Sequence, residues 1–181
     1  EYRSQDFGQY VTDAKQSFTD AVGGDNGYQY GRLDYSGNIW DINEKSGTFD
    51  AIICTEVLEH IPFPNETINE FSRLLKNGGK LILTAPCNSM RHLDPYYFYR
   101  GFSDRWFEKL LSDNGFFIEL IEPIGDYYSW LSVEMARTAI SHSLLAKICL
   151  MPAFLYFYNK KKTDVSTSSL CMGYHVVAKK L

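Results

Sequence analysis

With 181 residues, 13 Tyr, 12 Phe and 3 Trp, the chain holds enough apolar material for one sizeable core, which excludes a largely disordered protein. Its formal net charge of −4, with acids and bases interleaved, argues against nucleic acid as a partner. Cys54, Cys87, Cys149 and Cys171 stand far apart without a CxxC pair, so a reduced, cytoplasmic protein is a better reading than a disulfide framework or a zinc site.

In chain order, the polar, glycine-containing interval Thr12–Gln29 reads as a long surface loop, and LDYSGNIWDI (Leu33–Ile42) as a strand with the loop leaving it. FDAIIC (Phe49–Cys54) is a continuous apolar run of buried-strand length. TEVLEH (Thr55–His60) follows it and crowds two carboxylates and an imidazole together. Pro64 opens a helix expected through Lys76, with Ile68, Phe71, Leu74 and Leu75 at helical spacing and Asn77–Gly79 as its C-terminal cap. KLILTAP (Lys80–Pro86) is the next buried strand. Ser103 is a credible N-cap for a helix through Leu111, and Asn114–Gly115 turns the chain into the strand FFIELIEP.

LLAKICLMPAFLYFY (Leu144–Tyr158) is almost wholly apolar but too short to span a bilayer, and Lys147 and Pro152 interrupt it. It reads either as a buried or dimer-forming helix pair, or as a helix lying at a membrane interface. NKKKTDVSTSS (159–169) reads as a mobile polar connection, and CMGYHVVAKKL as the last strand. The alternation predicts an α/β fold: a doubly wound, mostly parallel sheet with helices on both faces, in a single domain over 1–181. Residues 140–170 would form an apolar helical insertion and linker.

Ligands of open parallel sheets bind outside the carboxyl ends of the strands. TEVLEH leaves one such end, and Asp6 and the pair Asn38–Ile39 fall after two other strand-like segments. A carboxylate, an amide and a backbone N–H at neighbouring strand ends suit a nucleoside-shaped ligand.

FDAIICTEVLEHI followed by RLLKNGGKLILTAP resembles the second half of a class I S-adenosylmethionine-dependent methyltransferase. The resemblance runs from about Tyr2 to Ala139. It is closest to a bacterial subgroup with segments like QDFGQY (Gln5–Tyr10) and HLDPYYFYRGF (His92–Phe102), whose apolar tail and GYHVVAKK strand are also similar. It implies a Rossmann-like sheet with an antiparallel last strand, and S-adenosyl-L-methionine as cofactor. By position, Asp6 would hold the ribose hydroxyls, Asn38 and Ile39 the adenine edge, and Thr55 and Glu56 the methionine end. Asn38 stands where the family more often has Asp, and Asp41 is the alternative if the register differs. The family's glycine-rich turn has no counterpart here, since Gly23–Gly24 comes after the second strand. The chain therefore reads as N-terminally incomplete, without the first strand, first helix and half of the cofactor site.

A metal site is not expected, because Glu56, Glu59 and His60 form neither HExxH nor Glu-x-x-His and no second ligand cluster is visible. Glu59 reads as a first-turn acid favoured by the helix dipole. His60 is either a packed histidine fixing the loop or a general base, with His92 the second candidate base. Tyr97, Phe98 and Tyr99 either contact the acceptor as an aromatic lid or simply close the core; His142 and His175 read as structural. The leading expectation is methyl transfer to a small-molecule or glycan-type acceptor. A nucleotide-dependent oxidoreductase would want a glycine fingerprint that is not visible. A scaffold that has lost the cofactor would work by dimerising through Leu144–Tyr158, a segment that could equally make a peripheral membrane contact.

Overall fold

The structure, a computed structural model, describes residues 2–8, 32–141 and 143–181. The expected loop Thr12–Gln29 and His142 lie outside the described residues.

Strands β1 (Gln5–Asp6) and β2 (Tyr35–Ser36) pair in parallel as a small sheet of their own. The main sheet holds β3 (Phe49–Thr55), β4 (Leu75–Pro86), β5 (Phe116–Ile124) and β6 (Gly173–Lys180) in the order β3-β4-β6-β5. β3 runs parallel to β4, while β6 is antiparallel to both of its neighbours. The last strand is therefore antiparallel, as the resemblance implied.

Helix α1 (Pro64–Leu74) starts with proline, whose fixed φ and missing N–H suit a first turn. It ends two residues before the expected Lys76. Leu75 turns extended instead, fully buried and opposite Phe49, and the next pair in register is Ala51 with Lys80. The residues between bulge out through Gly78 at φ 81°. Asn77–Gly79 thus shapes an irregularity in β4 and is not a helix cap: burying Leu75 in the sheet outweighs one more helical turn. Helix α2 (Asp104–Asp113) begins where expected, with Ser103 Oγ accepting the Trp106 N–H, and runs past Leu111 to Asp113.

Leu81, Leu83 and Ala85 of β4 and Val176 and Ala178 of β6 point one way into a core with Leu58, Ile68, Phe71, Phe102, Phe107 and Leu111. Alternation sends Ile53, Ile82 and Leu120 to the other face, where they stay exposed and adjoin one another through the register Ile53–Ile82–Val177–Leu120. Arg73 ties α1 to the loop before β3: its guanidinium bridges Glu70 at 2.7 Å and donates to the Glu44 and Ile42 carbonyls.

Beyond β5 the chain is more helical than expected. Helix α3 (Tyr127–Ser141) already begins the insertion, α4 (Leu144–Tyr158) packs back on it, and α5 (Asp164–Ser169) occupies the stretch expected to be mobile linker. The reason is local polar chemistry. Thr163 and Ser166 form a reciprocal capping box, and Ser166 Oγ donates at 2.6 Å to buried Asp126, which also accepts the Ser129 N–H. The buried reading of Leu144–Tyr158 is corrected: α4 has no buried residue.

Phe107 is fully buried at the centre of the aromatic group Phe102, Trp106 and Tyr174. Phe107→Ala is expected to lower unfolding free energy by about 3–5 kcal/mol, read from urea denaturation. A loss below about 1 kcal/mol would mean that the core lies elsewhere.

Candidate active site

A cleft of about 700 Å³ opens between the β1–β2 pair and the carboxyl end of β3. Asp6, Asn38, Ile39 and Thr55 all line it, which brings together four of the five expected cofactor contacts. The fifth, Glu56, is exposed and outside the lining. Its backbone takes φ 51°, and its N–H donates to the Thr84 carbonyl at 3.0 Å. That left-handed step costs a non-glycine residue about 1–2 kcal/mol and bends the chain sharply off β3 into the 3-10 turn Leu58–His60. Asp6 Oδ1 accepts the Gly8 N–H at 2.8 Å, and the Asn38 carbonyl accepts from Asp41, which itself stays outside the lining.

His60 lines the far wall of the cleft with Phe98 and Tyr96. Its Nδ1 lies 2.7 Å from the Tyr96 carbonyl; a carbonyl only accepts, so Nδ1 carries the proton and Nε2 presents its lone pair. His92 repeats the arrangement, Nδ1 to the Met90 carbonyl at 2.8 Å. The two rings meet edge to face with centroids 4.6 Å apart. Glu59 completes the group, its Oε1 lying 3.6 Å from His60 Nε2. It is 1% exposed, so it is a buried carboxyl and not the solvated first-turn acid expected, and its Oε2 has no hydrogen-bond partner. Burial pushes the Glu59 carboxyl up to about 7 and, outweighing the hydrogen bond to Tyr96, pushes His60 down. The contact is consequently between a neutral acid and a neutral imidazole more than an ion pair. One donor atom from each of Glu59, His60 and His92 lies within 4.8 Å of the other two, a grouping that could hold a divalent cation. Nothing in the sequence spacing signalled that grouping.

Of the three aromatic candidates, Phe98 alone lines the cleft. Tyr97 donates to the Ser89 carbonyl at 2.6 Å, and Tyr99 to the Pro62 carbonyl at 3.1 Å. The segment is anchored at its end by Gly101, φ 155°, where an added Cβ would fall 2.3 Å from the Cys87 carbonyl. His175 is exposed on β6, away from this cluster.

Residues 9–133 match the family model described as a methyltransferase domain. The chain belongs to that family. Among curated relatives, the ubiquinone biosynthesis O-methyltransferase of Xanthomonas oryzae pv. oryzae is 54% identical over 42 residues, 23% of this chain and 18% of the relative. That of Dechloromonas aromatica is 47% identical over 39 residues, 22% and 17% of the two chains. The chain thus spans under one fifth of the curated relatives it matches. Among solved structures, geranyl diphosphate C-methyltransferase from Streptomyces coelicolor A3(2), in complex with Mg2+, geranyl diphosphate and S-adenosyl-L-homocysteine, aligns with TM-score 0.51 and 14% identity, over 82% of this chain and 54% of that one. The [4+2]-cyclase SpnF aligns with TM-score 0.50 and 20% identity, over 82% and 57%. These likenesses establish the fold; the cyclase shows that the fold does not by itself fix the reaction.

A raised acid pKa means that the native state binds more protons than the unfolded state between about 4.5 and 7. Glu59 therefore costs nothing below that window, and its cost grows as pH rises through it. Glu59→Gln, compared with the parent chain in chelator-treated buffer at pH 8, is expected to be more stable by on the order of 2 kcal/mol, with the difference vanishing near pH 4.5. Thermal or urea unfolding across pH measures this; a pH-independent difference would place Glu59 in water.

Proposed function

We propose that the chain is a methyltransferase acting with S-adenosyl-L-methionine on a hydroxyl of a small molecule. One observation carries the reading: Asp6, Asn38–Ile39 and Thr55, from three separate strand ends, converge on one cleft whose opposite wall includes His60. The cleft's volume lies within the roughly 300–1,000 Å³ range of small-ligand sites, and its polar strand ends face an apolar wall. Asp6 would take the ribose hydroxyls, Asn38 and the Ile39 N–H the purine edge, and Thr55 the amino-acid end. When bound, the cofactor supplies an activated methyl group on sulfur. The chain's part is alignment: it holds the acceptor oxygen in line and takes its proton. His60 suits that task, since Nδ1 is fixed by Tyr96 and burial favours the neutral ring, whose Nε2 carries the lone pair beside Glu59.

Phe98 and Tyr96, with Phe7 5.8 Å from the Tyr96 ring, favour a flat or apolar acceptor over a glycan. The O-methyltransferase names of the short-matching relatives agree with oxygen as the nucleophile. The partnerless Glu59 Oε2 favours a second reading of the same group, in which Glu59, His60 and His92 hold a divalent cation that polarises the acceptor oxygen. Under that reading Mn2+ raises the melting temperature of the parent chain and not of His92→Gln; under the base reading it raises neither.

The test is calorimetric titration with S-adenosyl-L-homocysteine. Micromolar binding is expected, weakened at least tenfold by Asp6→Ala, because a carboxylate on ribose makes charge-assisted hydrogen bonds. Absence of binding would overturn the enzyme reading in favour of a non-catalytic scaffold.

A further inference from the structure

No helix among the described residues is long and apolar enough to cross a membrane, yet α4 is apolar all round but for Lys147 and none of its residues is buried. A helix with those properties in a folded chain needs a cover. Leu144, Leu145, Ile148, Met151, Leu155 and Tyr158 form one exposed stripe along it, with Leu144 at 72% and Ile148 at 62% exposure. α3 is its principal packing partner. At 1.5 Å per residue its 15 residues extend about 22 Å, short of a roughly 30 Å hydrocarbon core but long enough to lie within a leaflet's boundary.

Charge identifies the cover. The chain as a whole is acidic, but from Glu134 to Asp164 the sequence contains no intervening Asp or Glu, while Lys147, Lys160, Lys161 and Lys162 all fall there and all are exposed. A second copy of the same face would offer no carboxylate to meet these lysines, whereas an anionic surface meets them all, so an anionic surface is favoured over a twin subunit. The order of groups also fits a bilayer boundary. The apolar stripe ends in Tyr156, Phe157 and Tyr158, then the lysine run begins, with Lys160 Nζ 4.5 Å from the centre of the Tyr156 ring. Aromatic rings with polar edges, followed by cations on flexible stems, suit the passage from acyl chains to headgroups.

We propose that the α3–α4 hairpin docks the protein on anionic lipid bilayers, with α4 lying in the headgroup–acyl boundary and Lys160–Lys162 at the phosphates. The inference does not depend on the methyltransferase chemistry.

The experiment is co-sedimentation of the full chain with phosphatidylcholine vesicles, with and without phosphatidylglycerol. Parallel samples carry Ile148→Glu combined with Leu155→Glu, or Lys160→Glu, Lys161→Glu and Lys162→Glu together. All five side chains are exposed, and circular dichroism checks that the variants stay folded. Binding is expected only with phosphatidylglycerol, weakening as salt rises. The apolar pair of substitutions should abolish it. At about fivefold per lysine lost near a charged surface, with repulsion by the introduced glutamates added, the triple variant should bind at least about a hundredfold more weakly. Equal sedimentation of parent and folded variants, or none by the parent, would overturn the proposal. So would a dimer in sedimentation velocity that Ile148→Glu splits while vesicles capture nothing, which would make the cover a second copy.

Discussion

The geometry of the candidate site depends on how the turn Leu58–His60 is tied to the segment that follows β4. The Glu59 carbonyl accepts N–H groups from both Phe98 and Tyr99, and His60 Nδ1 bonds the Tyr96 carbonyl. These contacts join residues more than thirty apart in sequence and leave the imidazole a single orientation. Without them His60 would be a loop histidine; with them its free nitrogen has a fixed direction. Leu58 supplies the other half of the restraint, since its full burial in the core anchors the turn from below. A site can be built on a turn this short only because both sides of it are held.

The same tie explains why a carboxyl group is buried beside two imidazoles. Drawing Phe98 and Tyr99 onto the Glu59 backbone closes the segment over its side chain, and the oxygen left without a partner is the consequence. A buried, unpaired polar atom costs on the order of 1–3 kcal/mol, which a structural role alone gives no reason to retain. A proton on the carboxyl or a cation shared with the histidines would each relieve that cost, and each would alter the chemistry available at His60. Glu56, on the strained residue of the same turn, is spent differently: its conformation redirects the chain while its side chain stays in water.

Much of the fold was legible because its strands are apolar runs, although FDAIIC, expected to be buried, keeps only Cys54 buried because one face of the sheet is open at Ile53. FDAIIC, KLILTAP and GYHVVAKK announce themselves by composition, and Ser103 marks its helix by hydrogen-bonding chemistry. The errors fall where a tertiary choice competes with a local one. Leu75 belongs equally to a helical stripe and to a strand, and the sheet takes it. The α5 helix hides inside a polar stretch because its stability comes from a capping box and a bond to Asp126, forty residues away, which composition does not register. In the cleft, strand-end logic anticipated that Asp6, Asn38, Ile39 and Thr55 come together, since position after a strand is a sequence property. The meeting of His92 with Glu59 and His60 is not, because it follows from the path of a loop whose anchors are backbone groups.

The molecule is also asymmetric in what it covers. One face of the main sheet is packed by α1 and α2; the other leaves Ile53, Ile82 and Leu120 in solvent, and among the described residues the outer edge of β3 has no strand beside it. The cleft lies next to that open edge. Ala51 to Thr55 of β3 form its floor. The polar strand ends and His60 line the walls above that floor. A fold that hosts both methyltransferases and a cyclase owes that range to features of this kind: a fixed sheet sets the frame, and the groups at its margins determine the reaction.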